Sequence, residues 1–207
     1  MIMPRHTSLY IRFFNWYIKR ILRSDFHDVR VVGDISLKST DSILLIPNHF
    51  SWWDGFFAWH LNRVLLQKRF HVMMLEEQLS KHRFFSKIGA FSVNPHSREI
   101  VESLTFASGL LRSKGNLLVF FPQGKFYCQH IAEYQFYKGI ERLVPQSAPC
   151  KTVFANVIID YFENRKPTAV IHVKEVGIAG LSASEIAKEY TAFANDCRLN
   201  QQKLFKQ

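Results

Sequence analysis

Ile43-Leu44-Leu45-Ile46-Pro47-Asn48-His49-Phe50-Ser51-Trp52-Trp53-Asp54 is the stretch from which the rest of the chain is read. Four aliphatic residues run into Pro47, which brings no N–H to a ladder and so marks the end of a central strand. A continuous aliphatic run of this kind suits a strand covered on both faces. Asn48 and His49 then fall on the loop beyond it. Ser51 has the chemistry of a helix N-cap, and the apolar run from Trp52 to Leu66 reads as the helix it opens. Asp54 thereby enters the first helical turn, from which it can fold back toward His49. A carboxylate on one ring nitrogen of an imidazole fixes the tautomer and leaves the other nitrogen to act as a base. A loop histidine beside an aspartate that merely caps its helix fits the same spacing.

Outward from this stretch, strand and helix patterns alternate. Strands are predicted at Val29–Gly33, Phe70–Leu75, Gly89–Pro95, Asn116–Phe121, Cys150–Tyr161 and Thr168–Val176. Helices are predicted at Thr7–Arg23, Glu76–Lys87, Ser97–Lys114 and Leu181–Leu199. The alternation argues for an α/β fold: a single domain with a mostly parallel or mixed central sheet flanked by helices on both faces. No repeat, low-complexity segment or linker divides the chain.

A chain of 207 residues suits one domain. At that size it buries about 70% of its unfolded surface. Nineteen Phe and four Trp exceed what so small a core requires, which reserves some aromatic surface for lipid or an acyl chain. The net charge of +10 suits an anionic membrane or a phosphorylated thioester. With no helix-turn-helix, zinc-finger or aromatic RNA-binding signature beside it, nucleic acid is not expected as a partner. Cys128, Cys150 and Cys197 are odd in number and widely spaced, so neither disulfides nor a metal site are expected. No apolar run approaches the ~20 residues of a spanning helix. Arg12 and Asn15 interrupt the apolar core that a cleavable signal needs.

On a helical wheel Thr7–Arg23 divides in two. Arg12, Asn15, Trp16, Lys19, Arg20 and Arg23 share one sector, and an aromatic and aliphatic set from Tyr10 to Leu22 fills the other. That division fits an interfacial helix, and equally an ordinary amphipathic helix packed on the domain. The expected organisation is a membrane-interface helix over residues 1–24 and an enzymatic domain over 25–207, peripheral on the inner, cytoplasmic face of a membrane.

Asn48-His49, four residues and Asp54 after a hydrophobic strand resembles the first signature of the lysophosphatidate acyltransferases, the glycerolipid acyltransferase family. The resemblance runs from about Val29 to Ile159. Gly89-Ala90-Phe91-Ser92-Val93-Asn94-Pro95 is similar to the second signature, with Pro95 standing where the family carries an arginine for the acceptor's phosphate. Arg98, three residues on, is the candidate to replace it; close backbone packing is the plainer use of Gly89. Phe121-Pro122-Gln123-Gly124-Lys125-Phe126 resembles the third signature, which in the family has glutamate, glycine, threonine and arginine at the positions of Gln123, Gly124, Lys125 and Phe126. A P-loop reading of Gly124-Lys125 fails because Val119 holds the place of its first glycine. Val153–Val157 matches the fourth signature's strand without its proline, after a turn-like Phe136-Tyr137-Lys138-Gly139.

The resemblance implies acyl transfer from acyl-CoA or acyl carrier protein to a hydroxyl of a lipid-like acceptor, with no cofactor or metal. It implies His49 as general base oriented by Asp54, and Asn48, Ser51, Arg98, Pro122, Gln123, Gly124 and Lys125 as the substrate-binding set. Backbone N–H groups near Gly124 are candidates for the oxyanion by position. The rewritten charges imply an acceptor less anionic than lysophosphatidate. A non-catalytic membrane-surface lipid-binding protein of the same fold is the alternative, favoured by the altered third signature and opposed by the intact first.

Overall fold

The computed structural model describes residues 1–95, 97, 99–143 and 150–204. The aliphatic run forms strand β2 (Ser42–Pro47), preceded by β1 (Asp28–Val32) and followed by β3 (Arg69–Leu75), β4 (Ala90–Val93), β5 (Asn116–Val119), β6 (Cys150–Asp160) and β7 (Thr168–Val176). They form one seven-stranded sheet in the order β1-β7-β6-β2-β5-β3-β4. Every neighbouring pair is parallel except β6 and β7, which run antiparallel. The sheet is therefore mixed, and β2 lies inside it between β6 and β5.

Side chains alternate across a strand, so β2 feeds two cores. Ile43 and Leu45 join one cluster with Leu117, Val119, Val153 and Val157, while Leu44 and Ile46 join the other with Leu118, Phe154 and Ile158. All four β2 aliphatics are fully buried; truncating any one to alanine costs about 2–5 kcal/mol. Helices α1 (Ser8–Asp25) and α2 (Asp54–Leu61) cover the first face. After α3 (Glu76–Lys81), helices α4 (Ile100–Arg112) and α5 (Ala183–Leu204) cover the second.

Several boundaries differ from the sequence reading. The helix after β2 begins at Asp54, not Trp52, and widens into a π-helical turn over Asn62–Leu66. The Asn62 side chain causes the widening to end in order, clasping the N–H and C=O of Lys68 at 2.9 Å each. The expected helix Glu76–Lys87 breaks at His82 (φ −127°, ψ 53°) and resumes as a 3-10 turn over Arg83–Lys87. Beyond the turn, at Gly89 (φ +109°), any Cβ would meet the carbonyl oxygen of Phe70 at 2.0 Å, so the chain passes tightly against β3.

α1 is not a separate unit. Phe14, Ile18 and Leu22 are buried in the same cluster as the sheet, and Trp59 Nε1 of α2 donates to Asn15 Oδ1 at 2.9 Å. The larger part of the apolar face of α1 therefore serves the domain core.

Candidate active site

β2 and β5 are parallel neighbours, so the loops that follow them emerge side by side at the carboxyl edge of the sheet. This is where open α/β sheets place their ligands. The first loop carries Asn48 to Trp53 and the second Phe121 to Tyr127.

Asp54 is 3% exposed and accepts from three consecutive residues of the first loop. Its Oδ2 accepts from His49 Nδ1 at 2.8 Å, from Phe50 N–H at 2.8 Å and from Ser51 N–H at 3.1 Å. Its Oδ1 accepts from Ser51 Oγ at 2.9 Å. The arrangement places the proton on Nδ1, which leaves Nε2 as the nitrogen open to a substrate proton. His49 keeps 21% of its side chain exposed, whereas Asp54 is sealed beneath it. The imidazole lies between two rings, Phe121 and Phe126, each with its centroid 4.3 Å away.

Ser51 does not cap the helix in the expected way. Its hydroxyl donates to Asp54 and accepts from Trp53 N–H at 3.2 Å, one residue ahead of the first helical turn. Its role is therefore to lock the loop onto Asp54. Asn48 is 2% exposed and aims away from the cleft. It donates from Nδ2 to Val157 C=O and accepts at Oδ1 from Val157 N–H, both at 2.9 Å, so its amide extends the β2–β6 ladder past Pro47. Below it, Ala155 C=O accepts from Asn48 N–H at 3.2 Å and from the fully buried Tyr190 hydroxyl at 2.5 Å.

In the second loop Gln123 is 1% exposed, and its Oε1 accepts from His49 N–H at 2.8 Å. Tyr127 N–H donates to His49 C=O at 2.9 Å. Pro122 is buried, its carbonyl accepting from Tyr137 N–H at 2.9 Å. That contact docks the Phe136–Gly139 turn against the loop. Gly124 takes φ +68° against the Tyr137 ring, and its N–H donates to Phe121 C=O at 3.1 Å. The N–H of Gly124 itself is therefore used by the turn. Lys125 is exposed, with Nζ 5.2 Å from the centre of the Tyr127 ring. Arg98 lies outside the described residues.

The structure brings His49, Ser51, Asp54, Gln123 and the loop of Gly124 and Lys125 to one edge, and turns Asn48 and Pro122 inward. The sequence reading missed the two rings flanking the base and Tyr127. Phe126 was visible as a departure from the family pattern; its contact with His49 was not. The cavity beneath Asn48 and Asp54, lined by Leu45, Phe57, Leu61, Ala155, Val157 and Ile171, measures ≈ 10 Å³. That is about one water and no acyl chain. Among the described residues nine phenylalanines are buried, so the surplus read from composition chiefly fills the two cores. Among the described residues no helix is long and apolar enough to cross a membrane, and no cluster of His, Cys, Asp and Glu has the makeup of a metal site.

A model of the Acyltransferase family matches residues 28–159, more than half the chain, and the protein belongs to that family. Among solved structures it is similar in fold to the 1-acyl-sn-glycerophosphate (LPA) acyltransferase PlsC from Thermotoga maritima, with a TM-score of 0.59 and 14% identity over 92% of this chain and 78% of that one. No match was found among curated proteins.

Proposed function

We propose that the protein transfers a fatty acyl group from a thioester, acyl-CoA or acyl carrier protein, to a hydroxyl of a lipid-like acceptor, with His49 as the general base. The observation that carries this reading is the bond from His49 Nδ1 to the sealed carboxylate of Asp54, in a chain of the Acyltransferase family. Nε2 takes the proton as the acceptor oxygen attacks the thioester carbonyl. Collapse of the tetrahedral intermediate breaks the C–S bond, and the imidazolium returns the proton to the departing thiolate. Ester and free thiol are the products. Such base catalysis contributes about 10²–10⁴-fold. A thioester is already activated, so the reaction calls for neither a metal nor a covalent protein intermediate.

The acceptor is read from what faces the base. Phe126, 56% exposed, sets its ring beside His49 where a phosphate-binding arginine would otherwise reach. Lys125 is a point charge directed at Tyr127 and lacks the two-pronged grip of a guanidinium. A neutral or zwitterionic lipid alcohol suits such a cleft better than a phosphate monoester, since an unpaired charge in a partly dry site costs several kcal/mol.

The same reading places the enzyme on a membrane surface. Leu9, Phe13 and Trp16 of α1 remain exposed at 71%, 53% and 59%, and Phe84 beside Phe14 at 41%. Arg12, Lys19, Arg20 and Arg23 surround them on exposed positions. Aromatic side chains ringed by cations suit the anionic headgroups of a cytoplasmic leaflet. The test of the acceptor is kcat/KM on lysophosphatidate against neutral lyso-lipids and glycolipids with one acyl-CoA. A preference for the neutral alcohols is expected, and a clear preference for lysophosphatidate refutes this part of the reading.

A further inference from the structure

We infer that Gln123 is a positioning residue for the base, acting through the main chain of His49 and not through the substrate. The inference rests on the assignment of His49 as general base. β2 ends at Pro47, so no strand partner meets the backbone polar groups of His49, and a partly buried backbone group must be paired elsewhere. Both are taken by the second loop. Gln123 Oε1 receives the N–H at 2.8 Å, and Tyr127 N–H supplies the C=O at 2.9 Å. Asp54 fixes the ring from the other side through Nδ1 at 2.8 Å.

The imidazole is thus held at three points, and they do different work. Asp54 sets the tautomer and the ring plane. The main-chain bonds set the pivot from which the side chain swings. Loss of the Asp54 bond would let the ring turn; loss of the Gln123 bond would let the whole residue drift, carrying Nε2 with it.

The chemistry of the side chain fits this use. A buried acceptor for one amide proton is best neutral, because an amide oxygen is desolvated at far lower cost than a carboxylate. Gln123 is 1% exposed and reaches the His49 amide from across the gap between two parallel strands, which its three side-chain carbons allow. Orientation of the amide follows from its partner: an N–H donor selects the oxygen, so the Nε2H₂ group points elsewhere. Pro122 and Gly124 keep the side chain in place from either side, the first by receiving Tyr137 N–H and the second by closing the turn onto Phe121 C=O.

Two measurements on the full chain test this. Amide hydrogen exchange on the wild type, without substrate, reads the bond itself: slowed exchange at the His49 amide is expected, and exchange at the rate of a free loop amide overturns the inference. The second compares Gln123→Met, which keeps length and removes the acceptor, with Gln123→Glu, which keeps an acceptor. Gln123→Met should lower kcat by about 10²-fold, the usual effect of a ~1 Å misplacement, with KM for donor and acceptor unchanged and the His49 amide proton shifted upfield. Gln123→Glu should restore most of kcat and the amide shift. Full kcat in Gln123→Met overturns the proposal, and a loss confined to KM overturns it by making Gln123 a substrate contact. Turnover by His49→Ala reports on the base assignment, whereas amide exchange and the amide shift report on Gln123 alone, so the two failures are told apart.

Discussion

Replacing Asp54 by asparagine keeps the shape of the side chain and removes its charge. The hydrogen bonds dictate how the new amide sits. Oδ2 accepts from three donors, His49 Nδ1, Phe50 N–H and Ser51 N–H, while Oδ1 meets only the Ser51 hydroxyl. An NH₂ group in the first place would face three donors, so the amide oxygen must take it. The NH₂ then faces Ser51 Oγ, and a hydroxyl can turn to accept. The His49 tautomer survives, and what disappears is the attraction between Asp54 and the imidazolium formed during transfer. Two charges 4 Å apart at an effective dielectric of about 20 attract by about 4 kcal/mol, which sets a ceiling near 10³-fold. With the proton only partly transferred at the barrier, a fall in kcat of about 10²-fold is expected. Asp54→Ala should do worse, since it also strands the Phe50 and Ser51 N–H groups at about 1–3 kcal/mol each. The assay is release of free thiol from acyl-CoA in the presence of a lipid acceptor, with thermal unfolding as control. Unchanged kcat in Asp54→Asn refutes the electrostatic role; a loss as complete as removal of the imidazole refutes retention of the tautomer.

Phe13→Ser with Trp16→Ser should reduce sedimentation with anionic vesicles about tenfold while leaving thermal stability unchanged, because both rings are more than half exposed; undiminished binding would show that α1 does not meet the bilayer. Ile18→Ala, on the buried side of the same helix, should instead cost about 2–4 kcal/mol of stability by denaturant unfolding. His71 is 3% exposed, and burial, reinforced by the neighbouring His6 and Arg69, lowers its pKa from 6.5 to about 4. The unfolded chain binds that proton first, so stability should fall as pH drops through 6.5 and continue falling to about 4, by about 3 kcal/mol in all. His71→Phe should flatten the profile, and an equally steep acid loss in that variant would assign it to other groups.

The fold was legible where one residue type does one thing. Pro47 ends β2, and the aliphatic run before it is buried on both faces as its composition requires. The His49–Asp54 contact followed from a separation of five positions because both ends lie on one short loop and its helix. What local pattern could not supply was partnership across distance. Asn48 looked like a cleft residue until Val157, far along the chain, took both ends of its amide. Gln123 showed only as a loop amide until His49 N–H, on another loop, proved to be its donor. The wheel of α1 set Phe13 among the apolar residues, but tertiary packing decides that Phe14, Ile18 and Leu22 face the core while Phe13 and Trp16 face outward. Gly33 and Gly89 carried their geometry in their identity, since the backbone carbonyls of Val173 and Phe70 leave no room for a Cβ.

The central claim is that the Nε2 atom of His49 removes the acceptor's proton, and it is tested by incubating the full chain with radiolabelled acyl-CoA and a total lipid extract, wild type beside His49→Ala. The account predicts label in an alkali-labile lipid ester with the wild type, none above background with His49→Ala, and the same melting temperature for both. Label incorporated by His49→Ala at the wild-type rate would contradict it.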